Sequence, residues 1–258
     1  MGAGRAFPSG SLLALVLFLA MSGFVASGAL AAEACARLPN RQPPAAEALP
    51  EHPQDQYWQA ALAATEQAWA RPEAAGTELL FLGDSLVQSW AEPIFTTFYG
   101  GRHALNLGVS GDYTQSLLWR LARMPLGTRL RPKLVVLLIG TNNTARGSRP
   151  EDTAIGIAET VRHILSRSPS SRILLVGLLP RGPTAEDPLR AVNERINALI
   201  TQCADSRTVF FTTAGGMITD AAGRLSAEIA YDHLHLTWVG YGILSAGLEP
   251  DIRRLLGQ

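Results

Sequence analysis

Lysine is almost missing from this 258-residue chain: Lys133 is the only one, and 22 basic residues are balanced by 22 acidic ones for a formal charge of zero. Without a basic block to displace counterions from phosphates, nucleic acid is excluded as a partner. Cysteine is scarce too. Cys35 and Cys203 are too few for a disulfide framework and lack the paired spacing of a zinc site. They could pair with each other only if the segment carrying Cys35 packs on the helix carrying Cys203, which spacing leaves open. Charged residues make up 17% of the chain against 47% hydrophobic, a composition that excludes disorder and fits a packed globule. The length suffices for one sizeable domain without covalent staples.

Long apolar runs are also rare. The main one, residues 12–21, follows Arg5 and precedes the small residues Ala29-Leu30-Ala31, so residues 1–31 read as a secretory signal peptide. Two rivals are a retained anchor and a lipid-modified Cys35. Ser22-Gly23 leaves the run short of the ~20 apolar residues of a spanning helix, and Glu33-Ala34 is a poor lipoprotein signal. The expectation is a secreted or periplasmic protein with no stable membrane insertion after cleavage. Residues 32–54 hold Pro39, Pro43, Pro44, Pro50 and Pro53, a spacing that breaks helices and central strands and reads as an extended tether. Residues 55–258 form one domain without internal repeats.

Within that domain, short apolar runs at 79–82, 104–107, 134–139, 173–178 and 209–212 alternate with helical periodicity at 55–70, 87–99, 114–123, 151–166, 189–204 and 238–256. Residues 134–139 are apolar on both faces, as in a parallel sheet covered by helices on each side. The pattern predicts a three-layer α/β/α domain on a five-stranded parallel sheet, whose ligands sit beyond the carboxyl ends of the strands.

The residues after each predicted strand are therefore the candidates. Gly83-Asp84-Ser85 places a hydroxyl where backbone N–H groups can hold an anion, although Asp and Ser are also ordinary helix caps. Gly108-Val109-Ser110-Gly111-Asp112 is a turn whose glycines admit close backbone approach, or merely a loop. Gly140-Thr141-Asn142-Asn143 is compatible with an Asx turn, but an Asn amide also suits an oxyanion. Near the C-terminus, Asp232-His233-Leu234-His235 places a carboxylate three residues before an imidazole able to exchange protons near neutrality. The same cluster, as Asp232, His233 and His235, could instead hold a metal. His52, His103 and His163 read as solvated or packed.

In order, the blocks Gly83-Asp84-Ser85-Leu86, Gly108 to Asp112, Gly140 to Asn143 and Asp232 to His235 resemble the GDSL/SGNH hydrolase superfamily. Leu118-Trp119-Arg120-Leu121, Gly177-Leu178-Leu179-Pro180-Arg181-Gly182 and His235-Leu236-Thr237 narrow the likeness to the catalytic subunits of platelet-activating-factor acetylhydrolase. The resemblance implies a flavodoxin-like fold, Ser85 as nucleophile, His235 as base and Asp232 as its partner. It also implies an oxyanion hole of Ser85, Gly111 and Asn142, with no cofactor or metal. Ser110 departs from the glycine common there, and the signal peptide argues against transferring those enzymes' lipid substrate or regulatory partner. The expected activity is hydrolysis of a short acyl ester, acetyl foremost, of a small-molecule, glycan or lipid alcohol. Rivals are a lysophospholipase or thioesterase of the same superfamily and an inactive carbohydrate-binding relative. Oligomeric state and the identity of the alcohol are not legible.

Overall fold

Each apolar run becomes a strand. In a computed structural model that describes residues 1–2, 33–38 and 41–258, β1 (Leu79–Gly83), β2 (Ala104–Asn106), β3 (Leu134–Leu138), β4 (Arg172–Val176) and β5 (Val209–Thr212) form one parallel sheet. Its order is β2-β1-β3-β4-β5. The chain runs from β1 outward to β2 and then crosses back to β3, so the switch point that opens a ligand crevice lies between β1 and β3. These strands pair in register from Leu79 opposite Leu134 to Gly83 opposite Leu138. Their carboxyl ends, and the residues that follow, therefore emerge side by side.

Alternation of side chains along the strands feeds two cores. Leu80, Leu82, Val135, Leu137, Ile173 and Leu175 pack against α4 (Thr114–Arg123), α6 (Pro150–Arg167) and α7 (Pro188–Ile200). Leu79, Phe81, Leu134, Val136 and Leu174 pack on the opposite face against α3 (Glu92–Tyr99) and α8 (Trp238–Leu256). The outer helix α1 (Gln56–Ala70) is capped by Asp55, which accepts from the Trp58 N–H at 2.9 Å. The predicted three-layer α/β/α class is the one observed.

Two helical expectations need correction. The single helix read over 87–99 is two: α2 (Ser85–Gln88) starts at the nucleophile candidate, and α3 starts afresh after Ala91 with Pro93 in its first turn. Proline there lacks only an N–H that no helix start uses. The turn expected after β3 is instead a short helix, α5 (Thr141–Ala145).

From residue 41 the Pro-rich segment is docked on the domain, and it makes one short 3-10 turn, Ala46–Ala48. Ala45 is buried, the Thr114 hydroxyl donates to the Glu47 carbonyl at 2.8 Å, the Glu51 N–H donates to the Gln115 carbonyl at 3.1 Å, and Tyr113 Oη donates to Glu51 Oε1 at 3.1 Å. Gly156 of α6 makes room for it, since a Cβ there would overlap the Glu47 carbonyl. The prolines break a regular α-helix but leave carbonyls and side chains able to dock, so the segment acts as a strap rather than a free tether. Cys35 and Cys203 are joined in a disulfide that closes a separation of 168 residues. The signal-peptide reading falls, apart from Met1 and Gly2, outside the described residues. Among the described residues no helix is long and apolar enough to cross a membrane.

Candidate active site

Ser85 sits where β1 turns into α2. Asp84 caps that helix through Oδ1, which accepts from the Leu86 N–H at 2.9 Å, and the corner leaves the Ser85 hydroxyl facing the loop before α8. There Asp232 folds its own turn: Oδ1 accepts from the N–H groups of Leu234 at 3.0 Å and His235 at 2.7 Å. Its other oxygen, Oδ2, accepts from His235 Nδ1 at 2.7 Å. An ionised carboxylate only accepts, so the ring proton is on Nδ1 and Nε2 is left to accept. Nε2 lies 3.0 Å from Ser85 Oγ, across 150 residues of sequence. Burial works to raise the Asp232 carboxyl, but hydrogen bonds from the His235 side chain and from the His235 and Leu234 amides hold it below the ordinary carboxylate range.

The loop after β2 supplies the other wall. Gly111 has φ +81°, a left-handed conformation that strains other residues. Among the described residues neither the Ser85 nor the Gly111 N–H meets an acceptor. Asn142, in α5, donates from Nδ2 to the Asp112 carbonyl at 2.7 Å, which leaves the second hydrogen on that nitrogen unspent. Next to it, Asn143 accepts from the Thr114 N–H at 3.0 Å and donates to Gln115 Oε1 at 2.9 Å. The adjacent pair thus locks the loops after β2 and β3 together. Ser110, the residue that departs from the family pattern, is exposed, and its N–H donates to Gln88 Oε1.

A buried ion pair supports this wall and was not read from the sequence. Asp112 Oδ2 is 2.6 Å from Arg120 Nη2, with both side chains fully buried, and Oδ1 accepts from Trp58 Nε1 at 2.7 Å. Trp58 and Arg120 thereby fix the residue that follows Gly111 and anchors Asn142. One signal was available: Arg120 falls on the face of α4 that buries Leu117 and Leu121, and an arginine on an apolar face requires an acidic partner. The partner, and Trp58, lie in other elements. Below Ser85, Asp84 is wholly buried with Oδ2 unpartnered. Burial, reinforced by the Asp112 carboxylate, pushes its carboxyl up to about 7 against the opposing Leu86 amide and Arg181.

His233 does not join the site. Its φ is +59°, and its Nδ1 donates to the Leu225 carbonyl at 2.9 Å, so Asp232, His233 and His235 do not converge as a ligand set. Among the described residues no three His, Cys, Asp or Glu side chains group to hold a metal. His52, exposed, stacks on Trp119 with ring centroids 4.1 Å apart, and His163 is half-buried on α6.

The strand order and its switch point are those of a flavodoxin-like sheet. The chain belongs to the GDSL-like Lipase/Acylhydrolase family, whose profile matches residues 81–243. It is 38% identical over 183 residues to human platelet-activating factor acetylhydrolase IB subunit alpha1, covering 70% of this chain and 78% of that protein. The human alpha2 subunit is 36% identical over 184 residues, with the same coverage. Among solved structures, a GDSL-like lipase from Bacteroides thetaiotaomicron superposes with a TM-score of 0.57 at 22% identity, covering 75% of this chain and 98% of its own. An acetylxylan esterase from Geobacillus stearothermophilus gives a TM-score of 0.56 at 18% identity, over 73% and 97%. The chain is a carboxylic ester hydrolase.

Proposed function

We propose that the chain is an exported esterase that removes short acyl groups, acetyl foremost, through an acyl-enzyme on Ser85. The observation that carries this is the unbroken line from Ser85 Oγ to His235 Nε2 at 3.0 Å and from His235 Nδ1 to Asp232 at 2.7 Å. In the reaction, Ser85 Oγ bonds to the ester carbonyl carbon as its proton passes to His235 Nε2. The carbonyl electron pair moves onto oxygen, which accepts from the Ser85 and Gly111 N–H groups and the second Asn142 hydrogen. Collapse breaks the bond to the alcohol, which takes the proton from His235. Water then repeats the cycle: Nε2 takes its proton, its oxygen attacks the acyl carbon, and Ser85 leaves reprotonated with release of the carboxylic acid. Asp232 stays ionised throughout and stabilises the imidazolium. This cycle uses no cofactor.

Short acyl preference is supported by the segments beside the site. Residues 144–150 and 181–188 are short and polar, and neither supplies the apolar cover that a long chain needs. The relatives at 36–38% identity are named acetylhydrolases. Export is supported by residues 1–31, and a Cys35–Cys203 disulfide suits an oxidising compartment. The test is turnover of p-nitrophenyl esters by the mature protein and by Ser85→Ala. Expected are specificity constants that fall steeply from acetyl to butyryl and vanish for octanoyl, and no turnover by the variant despite an unchanged melting curve. Preference for octanoyl over acetyl would move the function to a lysophospholipase or thioesterase. Turnover by a folded Ser85→Ala protein would overturn the mechanism.

A further inference from the structure

The alcohol half of the substrate has to lie on the histidine side of Ser85. In the step that breaks the ester, His235 Nε2 hands its proton to the departing oxygen, so that oxygen comes within hydrogen-bond reach of Nε2. The Gly111 and Asn142 side is taken by the carbonyl oxygen. Next to His235 on that side, across the stacked Tyr231 ring, lies an open groove of about 770 Å³ lined by Tyr231, Leu236, Trp238 and Val239, with Ser89 and Glu228 also on its wall.

This groove exposes apolar surface in a way the rest of the molecule does not require. Tyr231 and Trp238 are each 65% exposed and Val239 is 58%, while most other large hydrophobic side chains are buried. Contiguous exposed apolar surface marks a binding site more often than it occurs by accident. Both aromatic rings are carried by the segment that bears the base. Tyr231 lies nearly parallel to the His235 ring, 17° apart with centroids at 5.9 Å, and its N–H donates to the His235 carbonyl. Trp238 opens α8 directly after its cap, Thr237, so it is held by a rigid element rather than a mobile loop.

The chemistry of the groove selects its occupant. Among the described residues no Lys or Arg lines it, while Glu228 is part of its wall and Asp232 stands beside Tyr231, so an anionic alcohol such as a phosphate ester is repelled. The groove is open and shallow, which gives an aliphatic tail no enclosure to gain from. Flat exposed rings next to a carboxylate and a serine hydroxyl match a neutral ring that has apolar faces and hydroxyls on its rim. We infer that Tyr231 and Trp238 form a stacking ledge for the alcohol half of the substrate, and that this alcohol is a neutral sugar. The inference rests on the esterase reading above, and it names the substrate class which that reading leaves open.

The test compares glucose monoacetate, cellobiose monoacetate, acetylcholine and an acetylated lipid in neutral vesicles with ethyl acetate, an ester too small to reach the ledge. It uses the wild type, Trp238→Ala, Trp238→Phe and Tyr231→Ala. Expected is a loss of about tenfold or more in the ratio of kcat/KM for the sugar esters to that for ethyl acetate in both alanine variants, carried mainly by KM. Trp238→Phe, which keeps a stacking face, should restore most of it. Calorimetric titration of cellobiose into Ser85→Ala and into Ser85→Ala/Trp238→Ala reads the ledge without turnover, with binding expected only in the first. An unchanged ratio overturns the ledge, as does a loss confined to acetylcholine or to acetylated lipid in neutral vesicles, which would assign the groove to a cationic or lipid alcohol. A wild type inert on ethyl acetate and on the sugar esters alike would overturn the esterase reading, and the ledge as its substrate subsite with it.

Discussion

Two side chains beside Ser85 do separable work, and substitution distinguishes them. Asn142 is tied to the Asp112 carbonyl through one hydrogen of Nδ2, and in the proposed cycle the other acts on the oxyanion. Asn142→Ala should therefore lower kcat by ~10²- to 10³-fold with little change in KM. A purely structural Asn142 would instead lower the melting temperature and spare turnover in the folded fraction, so both are measured on one preparation. Asp84 acts on stability. Its buried carboxyl keeps its proton up to about pH 7 in the folded chain, whereas an unfolded chain releases it near ~3.9. Across that window the folded state binds more protons, so this residue's contribution to stability falls as pH rises from about 4 to about 7 and is level above. Asp84→Asn keeps an acceptor for the Leu86 N–H and has no charge to bury. Melting curves across this range should show the variant gaining on the wild type as pH rises.

At the level of elements, α6 is shaped by what crosses it. A glycine in a helix interior normally costs about 1 kcal/mol relative to alanine, so Gly156→Ala would stabilise an isolated α6. Here the added Cβ would overlap the Glu47 carbonyl and crowd the Thr114 hydroxyl, and overpacking of this kind costs about 1–3 kcal/mol. The expected net effect is a lower melting temperature with faster proteolysis within residues 41–54, read by limited digestion; a stabilised variant would show that the strap yields without cost. The strap was illegible beforehand because proline spacing reports backbone geometry, while docking depends on a gap more than a hundred residues away. The strands were legible since residues buried on both faces leave a continuous apolar run, as Leu134–Leu138 does. Apolar residues at 86 and 87 concealed the break between α2 and α3, and Asn-rich composition concealed α5. Of the candidate site, the segments holding Ser85, Gly111, Asn142, Asp232 and His235 are legible because each follows a strand or precedes the last helix, and the family resemblance picks out these residues within them. Trp58 and Arg120 could not, because they bear on it only through Asp112, from other elements.

For the whole molecule, the Cys35–Cys203 bond lies within the core on one face of the sheet and ties the strap to the turn after α7. Cys203→Ser should lower unfolding free energy by about 2–5 kcal/mol, since the bond restricts a long loop in the unfolded ensemble. Urea unfolding with and without reductant measures this, and a midpoint that ignores both reductant and substitution would show the bond to be absent in solution. The bond also divides the site topologically. Ser85, Gly111 and Asn142 lie inside the covalent ring it closes, whereas Asp232 and His235 lie on the tail outside it. A single backbone cut anywhere between residues 36 and 202 turns the ring into two arms of one molecule, which migrate together until reductant parts them. A single cut between 204 and 231 severs Asp232, His235 and α8 from Ser85 outright, and only packing against the sheet keeps the two in one particle.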